Sequence, residues 1–148
     1  MQIGELARAT GLSIQAIRFY ERERLVPEAP RSEGNYRIYG TPHAERLGFI
    51  RRCRSLDMAL NEIRTLLGFK DSPRENCAKV DLLLDDHIGH VAARIVELRA
   101  LEKELRTLRD QCQDSRGLVE CGILKKLSSA APHPVWPRQK SHVRGTHP

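Results

Sequence analysis

The chain of 148 residues carries 25 lysines and arginines against 19 aspartates and glutamates, a formal net charge of +6, and is 40% apolar. It nowhere approaches the roughly 18 consecutive apolar residues of a membrane span, and its N-terminus enters a helical pattern without the order of a signal peptide. A cytoplasmic protein without membrane contact is therefore expected. A chain of this length buries one modest core, and the patterns below divide it into a small domain and a long helix, which points to an oligomer. The four cysteines, Cys53, Cys77, Cys112 and Cys121, include no closely spaced pair. That disfavours a zinc ribbon or a thioredoxin-like motif and, in a reducing compartment, favours thiols or metal ligands over disulfides.

Ile3, Leu6 and Ala7 share one helical face, Gly11 breaks that helix, and Ser13 is placed to cap a second helix in which Ile14, Ile17 and Leu25 continue the buried stripe. The second helix presents Gln15, Arg18, Tyr20, Arg22 and Arg24, a set suited to base edges and phosphates. In the segment that follows, Glu33-Gly34-Asn35 reads as a hairpin turn between two very short strands, which puts Tyr36, Arg37 and Tyr39 on a wing beside the helix. Residues 1 to 75 hold 13 basic against 10 acidic side chains, so nucleic-acid binding rests on where the arginines stand rather than on bulk charge.

Thr41-Pro42 starts a third helix, in which Leu47, Ile50 and Cys53 recur every three residues. Cys53 thus reads as a small buried hydrophobe. His43 is expected on the surface near the wing. After a break near Asp57, Leu60, Ile63, Leu66 and Leu67 mark a fourth helix ended by Gly68. From about Val80 to Cys112 there is no proline, and apolar residues fall at Leu84, Ile88, Val91, Ile95, Leu98, Leu101, Leu105 and Leu108. One continuous amphipathic helix fits, forming a coiled coil with a local irregularity at 95, 98 and 101. No intrachain partner is long enough to cover its seam, so dimerisation is expected to do so. Gln113 to Glu120 is a polar loop, Cys121 opens one or two further helical turns, and residues 129 to 148 form a basic, histidine-containing tail expected to be disordered.

Cys77 precedes the long helix and Cys112 closes it, about 50 Å apart at the helical rise, so the two cannot ligate one ion within a chain. If two chains pair these helices antiparallel, Cys77 of one lies beside Cys112 of the other, with Cys121 close by across the loop. Three thiolates are soft donors of total charge −3, matched to cadmium, lead, mercury or zinc rather than magnesium or calcium. His87 and His90, three apart, share a helix face, and the tail adds His133, His142 and His147. A solvated face with a basic tail fits these positions. No carboxylate and histidine motif accompanies the thiols, which disfavours a metal-dependent hydrolase.

The runs Ile3-Gly-Glu-Leu-Ala7, Ile17-Arg-Phe-Tyr-Glu21 and Gly34-Asn-Tyr-Arg-Ile-Tyr39, in this order and spacing, resemble the MerR family of winged-helix transcriptional regulators. The resemblance implies a mainly α protein and no enzyme. A winged helix-turn-helix DNA-binding domain spans 1–75, a long antiparallel coiled-coil dimerisation helix 76–112, a metal-binding loop and short helix 113–128, and the tail 129–148. It also implies a homodimer on promoter double-stranded DNA, in which Gln15 and Arg18 enter the major groove and Tyr20, Arg31, Asn35, Tyr36, Arg37, Tyr39 and Arg54 hold the backbone. Cysteines at the start, at the end and beyond the dimerisation helix map onto Cys77, Cys112 and Cys121 as ligands of a divalent inducer. Some cadmium-responsive members add a histidine-rich tail and an accessory metal site, for which the resemblance implies His87, His90, His142 and His147. Monovalent sensors typically lack the first of these thiols, redox sensors need four clustered cysteines, and drug-binding members need a larger C-terminal domain. Cys53-Arg-Ser-Leu-Asp-Met58, Leu83-Leu-Asp-Asp-His-Ile88 and Cys121-Gly-Ile-Leu124 point to the cadmium and lead branch. Mercury- or zinc-responsive regulation by the same architecture is the first alternative. A thiol redox regulator using Cys112 and Cys121 is the second. The mechanism the family implies is distortion of an over-long promoter spacer until RNA polymerase engages both hexamers, so that heavy-metal resistance genes are activated by DNA deformation.

Overall fold

Gly11 stops the first helix by adopting a left-handed backbone at φ +68°, a conformation that L side chains rarely take. A Cβ there would also meet the Arg51 guanidinium at 2.6 Å. The computed structural model describes residues 1–74, 76–112 and 117–129. Its helices are α1 (Ile3–Thr10), α2 (Ile14–Arg22), α3 (Thr41–Ser55), α4 (Leu60–Lys70), α5 (Ala78–Arg109) and α6 (Gly122–Leu127), with one 3-10 turn at Leu118–Glu120. These residues fall into two units, Met1–Leu84 and the chain from Asp85 onward, divided inside α5.

In the first unit, the Ser13 hydroxyl accepts from the Ala16 N–H and caps α2 as expected. The helix-turn-helix packs on α3 and α4 through one core, whose fully buried members include Leu6, Ile17, Leu25, Tyr39, Leu47, Ile50, Ile63 and Leu67. Each such side chain contributes about 1.5–3 kcal/mol of burial. Cys53 belongs to this core, and burial pushes its thiol pKa up. Arginines tie the helices together. Arg51 Nη1 of α3 donates to the Thr10 carbonyl at the end of α1, and Arg46 grips both Asp71 carboxylate oxygens at 2.9 and 3.1 Å while its Nε donates to the Leu25 carbonyl.

Several details depart from the periodicity. Ile14, the first residue of α2, is 39% exposed, so the buried stripe begins at Ile17. The cap of α3 is Gly40 rather than Thr41, with Pro42 in the first turn. His43 is buried, against the expectation of a surface position. Its Nδ1 accepts from the Gly40 N–H at 3.0 Å and its ring stands edge-on to Tyr39. Helix α4 continues past Gly68 to Lys70. Glycine weakens a helix interior by about 1 kcal/mol, and here Lys70 lies over the Phe49 ring while Asp71 is held by Arg46, contacts that reward the extra turn.

The expected hairpin turn is present, with Asn35 in the left-handed region at φ +64° and its N–H donating to the Ser32 carbonyl. The two short strands are not. Among the described residues the pairing reduces to a single antiparallel bridge between Arg31 and Arg37, because a segment this short leaves room for one ladder step.

Helix α5 runs unbroken for 32 residues, about 48 Å at the helical rise. Within the second unit its apolar residues Ile88, Ile95, Val96, Leu101 and Leu105 are exposed in the single chain. No helix among the described residues is long and apolar enough to cross a membrane.

Candidate DNA-binding surface and thiol site

Helical geometry sorts the residues of α2. Gln15, Arg18 and Arg22, spaced i, i+3 and i+7, lie on one face and are all exposed, opposite the buried Ile17 and Tyr20. Tyr20, expected among the backbone-holding residues, is placed in the core instead, because it follows Ile17 by three residues and shares its face. Its ring packs 5.5 Å from that of Phe19, centroid to centroid. Arg24 is exposed just past the helix.

On the wing, Tyr36 is 67% exposed. Arg31 and Asn35 are exposed as well, and Arg31 Nη1 donates to the Asn35 carbonyl at 3.1 Å. Tyr39 departs from its expected role at the DNA backbone. Its ring is 1% exposed and its hydroxyl donates to Glu21 Oε1 at 2.6 Å. Desolvation first, and then the Glu21 carboxylate, hold its pKa above the ordinary tyrosine value, so the hydroxyl stays a donor. Arg37 Nη1 donates to the other Glu21 oxygen at 2.7 Å. Arg54 is half-buried, and its Nη1 donates to the Met58 carbonyl.

Glu21 is the residue that sequence reasoning left without a role. Glu21 stood inside a motif used for recognition, yet its partners lie 16 and 18 residues away. No helical or strand period reports such a pairing.

All four cysteines are free thiols, and three are accessible: Cys77 and Cys112 are exposed and Cys121 is partly so. Cys77 stands at the head of α5, where the Asp81 N–H donates to its carbonyl and the Asn76 side chain accepts from Ala78 N–H. Cys112 lies at the foot of the same helix, and Cys121 opens α6. The N–H groups of Leu124 and Ile123 and the Cys112 thiol donate toward the Cys121 sulfur and hold its pKa below the ordinary thiol value. Such a thiol is a better nucleophile and a better metal ligand at neutral pH.

Gly122 makes this approach feasible, since a Cβ there would collide with the Gln111 carbonyl. Gly122→Ala is therefore expected to push Cys121 away from Cys112. In a Cys77→Ser background, a trivalent arsenical that bridges two neighbouring thiols should bind about tenfold more weakly to the Gly122→Ala chain, a difference of about 1.4 kcal/mol. Unchanged affinity would show that the loop yields without moving the thiol. His87 is buried and His90 half-buried, both on α5, whereas His142 and His147 lie outside the described residues, as do residues 113–116 of the loop and all of the tail beyond Ser129.

Comparison with known proteins identifies the family. Residues 1–70 match the model of the MerR HTH family regulatory proteins and residues 44–108 that of the MerR DNA-binding region. The chain is 41% identical over 111 residues to the HTH-type transcriptional regulator ZntR homolog of Haemophilus influenzae, covering 75% of this chain and 82% of that protein. It is 36% identical over 126 residues to the mercuric resistance operon regulatory protein of Bacillus cereus, covering 85% and 96%. Among solved structures, a transcription regulator of Ralstonia metallidurans CH34 in complex with lead(II) aligns at 52% identity and a TM-score of 0.76, over 86% of this chain and 99% of that one. The chain is a DNA-binding regulator rather than an enzyme, and it belongs to the MerR family of transcriptional regulators.

Proposed function

We propose that the chain is a metal-responsive regulator that binds promoter DNA as a homodimer and takes a divalent soft ion, cadmium(II) or lead(II), on Cys77, Cys112 and Cys121. The observation that carries this reading is the sorting of the thiols. Three are accessible, two of these are brought together with the Cys121 thiol held below the ordinary thiol pKa, and the fourth is sealed in the core. Three thiolates suit a soft cation and leave the site at a net charge of −1. The relative solved with lead(II) supports the choice of ion, while the likeness to a mercuric resistance regulator keeps mercury(II) as the second reading.

The DNA face in this reading is the exposed side of α2 with the wing. Gln15 and Arg18 contact base edges, Arg31, Asn35, Tyr36 and Arg54 serve the phosphates or hold the elements that do, and Arg37 holds the wing through Glu21. Tyr20 and Tyr39 support that face from within. Dimerisation covers the exposed apolar residues of α5, and the ion, when bound, ties the ends of two such helices into one thiolate cluster. Differential contact in the bound and free states then biases how the two DNA-binding units are held, and promoter deformation passes that bias to RNA polymerase.

One experiment reads both halves of the proposal. Reduced wild-type protein titrated with cadmium(II) or lead(II) should develop thiolate-to-metal absorption with proton release, saturating at one ion per chain. Arg18→Ala should leave that titration unchanged while weakening operator binding about tenfold or more, within the range of about 1–3 kcal/mol for a base contact. Normal operator affinity in Arg18→Ala, or absorption that saturates without Cys77, would overturn the corresponding half.

A further inference from the structure

The wing has almost no sheet of its own to orient it, since its pairing among the described residues is the one bridge between Arg31 and Arg37. Beyond the core that Tyr39 shares with Ile17 and Tyr20, what joins its second half to α2 is a carboxylate. Glu21 accepts the Tyr39 hydroxyl on Oε1 at 2.6 Å and the Arg37 guanidinium on Oε2 at 2.7 Å. The Glu21 side chain is 12% exposed and that of Arg37 47%, so one partner is sunk between helix and wing while the other reaches solvent. Tyr39 is itself anchored at ring and backbone: its ring lies in the core against His43, and its N–H donates to the Met1 carbonyl at 2.8 Å. Around α2, Glu21 stands beside the buried face of Ile17 and Tyr20 rather than on the exposed face of Gln15, Arg18 and Arg22.

We infer that Glu21 is a positioning residue for DNA recognition: it clamps the wing to the recognition helix in one geometry and holds Arg37 back from the phosphates. This rests on the reading of α2 and the wing as the DNA-facing elements. A specific site must meet helix and wing in register, whereas non-specific binding is phosphate neutralisation that any arrangement of the arginines supplies. Fixing the register in advance removes an ordering cost from specific binding alone. Releasing Arg37 has the opposite effect on the non-specific complex, to which it adds one cation.

Glu21→Gln tests the clamp, because the amide keeps the size and an acceptor for Tyr39 but dissolves the ion pair. Operator affinity is expected to fall about tenfold while affinity for random duplex of equal length stays level or rises. The slope of log affinity against log salt on that duplex should steepen by about one unit as Arg37 reaches a phosphate. Arg37→Met breaks the clamp from the wing side without altering α2, and should lower operator affinity with no steepening. A role in stability alone would weaken operator and random duplex together, in step with a lowered melting temperature, and that result overturns the inference. So does unchanged discrimination in both variants. Arg18→Ala in the same assay separates the two levels: if it weakens operator binding while Glu21→Gln and Arg37→Met do not, only the clamp is wrong. If Arg18→Ala has no effect, the DNA-facing surface is misassigned and the clamp falls with it.

Discussion

A heterodimer of one Cys77→Ser chain with one chain carrying Cys112→Ser and Cys121→Ser should bind one soft divalent ion on three thiolates, although neither parent homodimer does. The reason is the length of α5. Its 32 residues hold the positions that flank it about 50 Å apart, so a cluster using Cys77 with Cys112 draws them from different chains. In the Cys77→Ser homodimer every site lacks one thiolate, and in the doubly substituted homodimer every site lacks two. The mixed pair combines Cys77 of the second chain with Cys112 and Cys121 of the first and completes one site, leaving the other with none. Thiolate-to-metal absorption on purified heterodimer should therefore reach about half the wild-type amplitude per dimer. A heterodimer as defective as both parents would show that Cys77 is not shared across the pair.

Ile17→Ala is expected to destabilise the first unit by about 2–5 kcal/mol, the range for truncating a fully enclosed aliphatic side chain. Ile17 is wholly buried between α2 and the core, and a domain of ordinary stability has about 5–15 kcal/mol in total. The unfolding transition of that unit in urea should therefore move to markedly lower denaturant. Operator affinity should fall only as the folded fraction falls, and recover when binding is referred to folded protein. Arg18, one residue on and exposed, should behave inversely: Arg18→Ala shifts stability by no more than about 0.5 kcal/mol and loses operator affinity that no correction for folding restores. Equal phenotypes at the two positions would mean that α2 does not present the face assigned to it.

The helices and their stops were legible because they are written in neighbouring residues. Gly11, Ser13, Pro42 and the prolines missing between Val80 and Cys112 act within a turn or two of where they stand. The burial of Cys53 followed from its place on the stripe of Leu47 and Ile50, and the accessible thiols followed from their positions outside any stripe. Two aromatic residues of the DNA-binding unit were misjudged for a common reason. Tyr20 and Tyr39 carry a polar tip on an apolar body, so type alone leaves open whether the ring packs inward or the hydroxyl faces out. His43 poses the same ambiguity.

By itself, then, the sequence determined the six helices, the turn at Asn35, the family motifs and a set of thiols that no period claims, since each depends on spacing along one segment. Only the tertiary structure decided that Tyr20, Tyr39 and His43 turn into the core, that Gly122 lies against the Gln111 backbone, and that one carboxylate at Glu21 holds both Arg37 and Tyr39. Those outcomes depend on which segments meet, and a contact across 16 or 18 residues is set by the packing of the whole unit, to which local periodicity is blind.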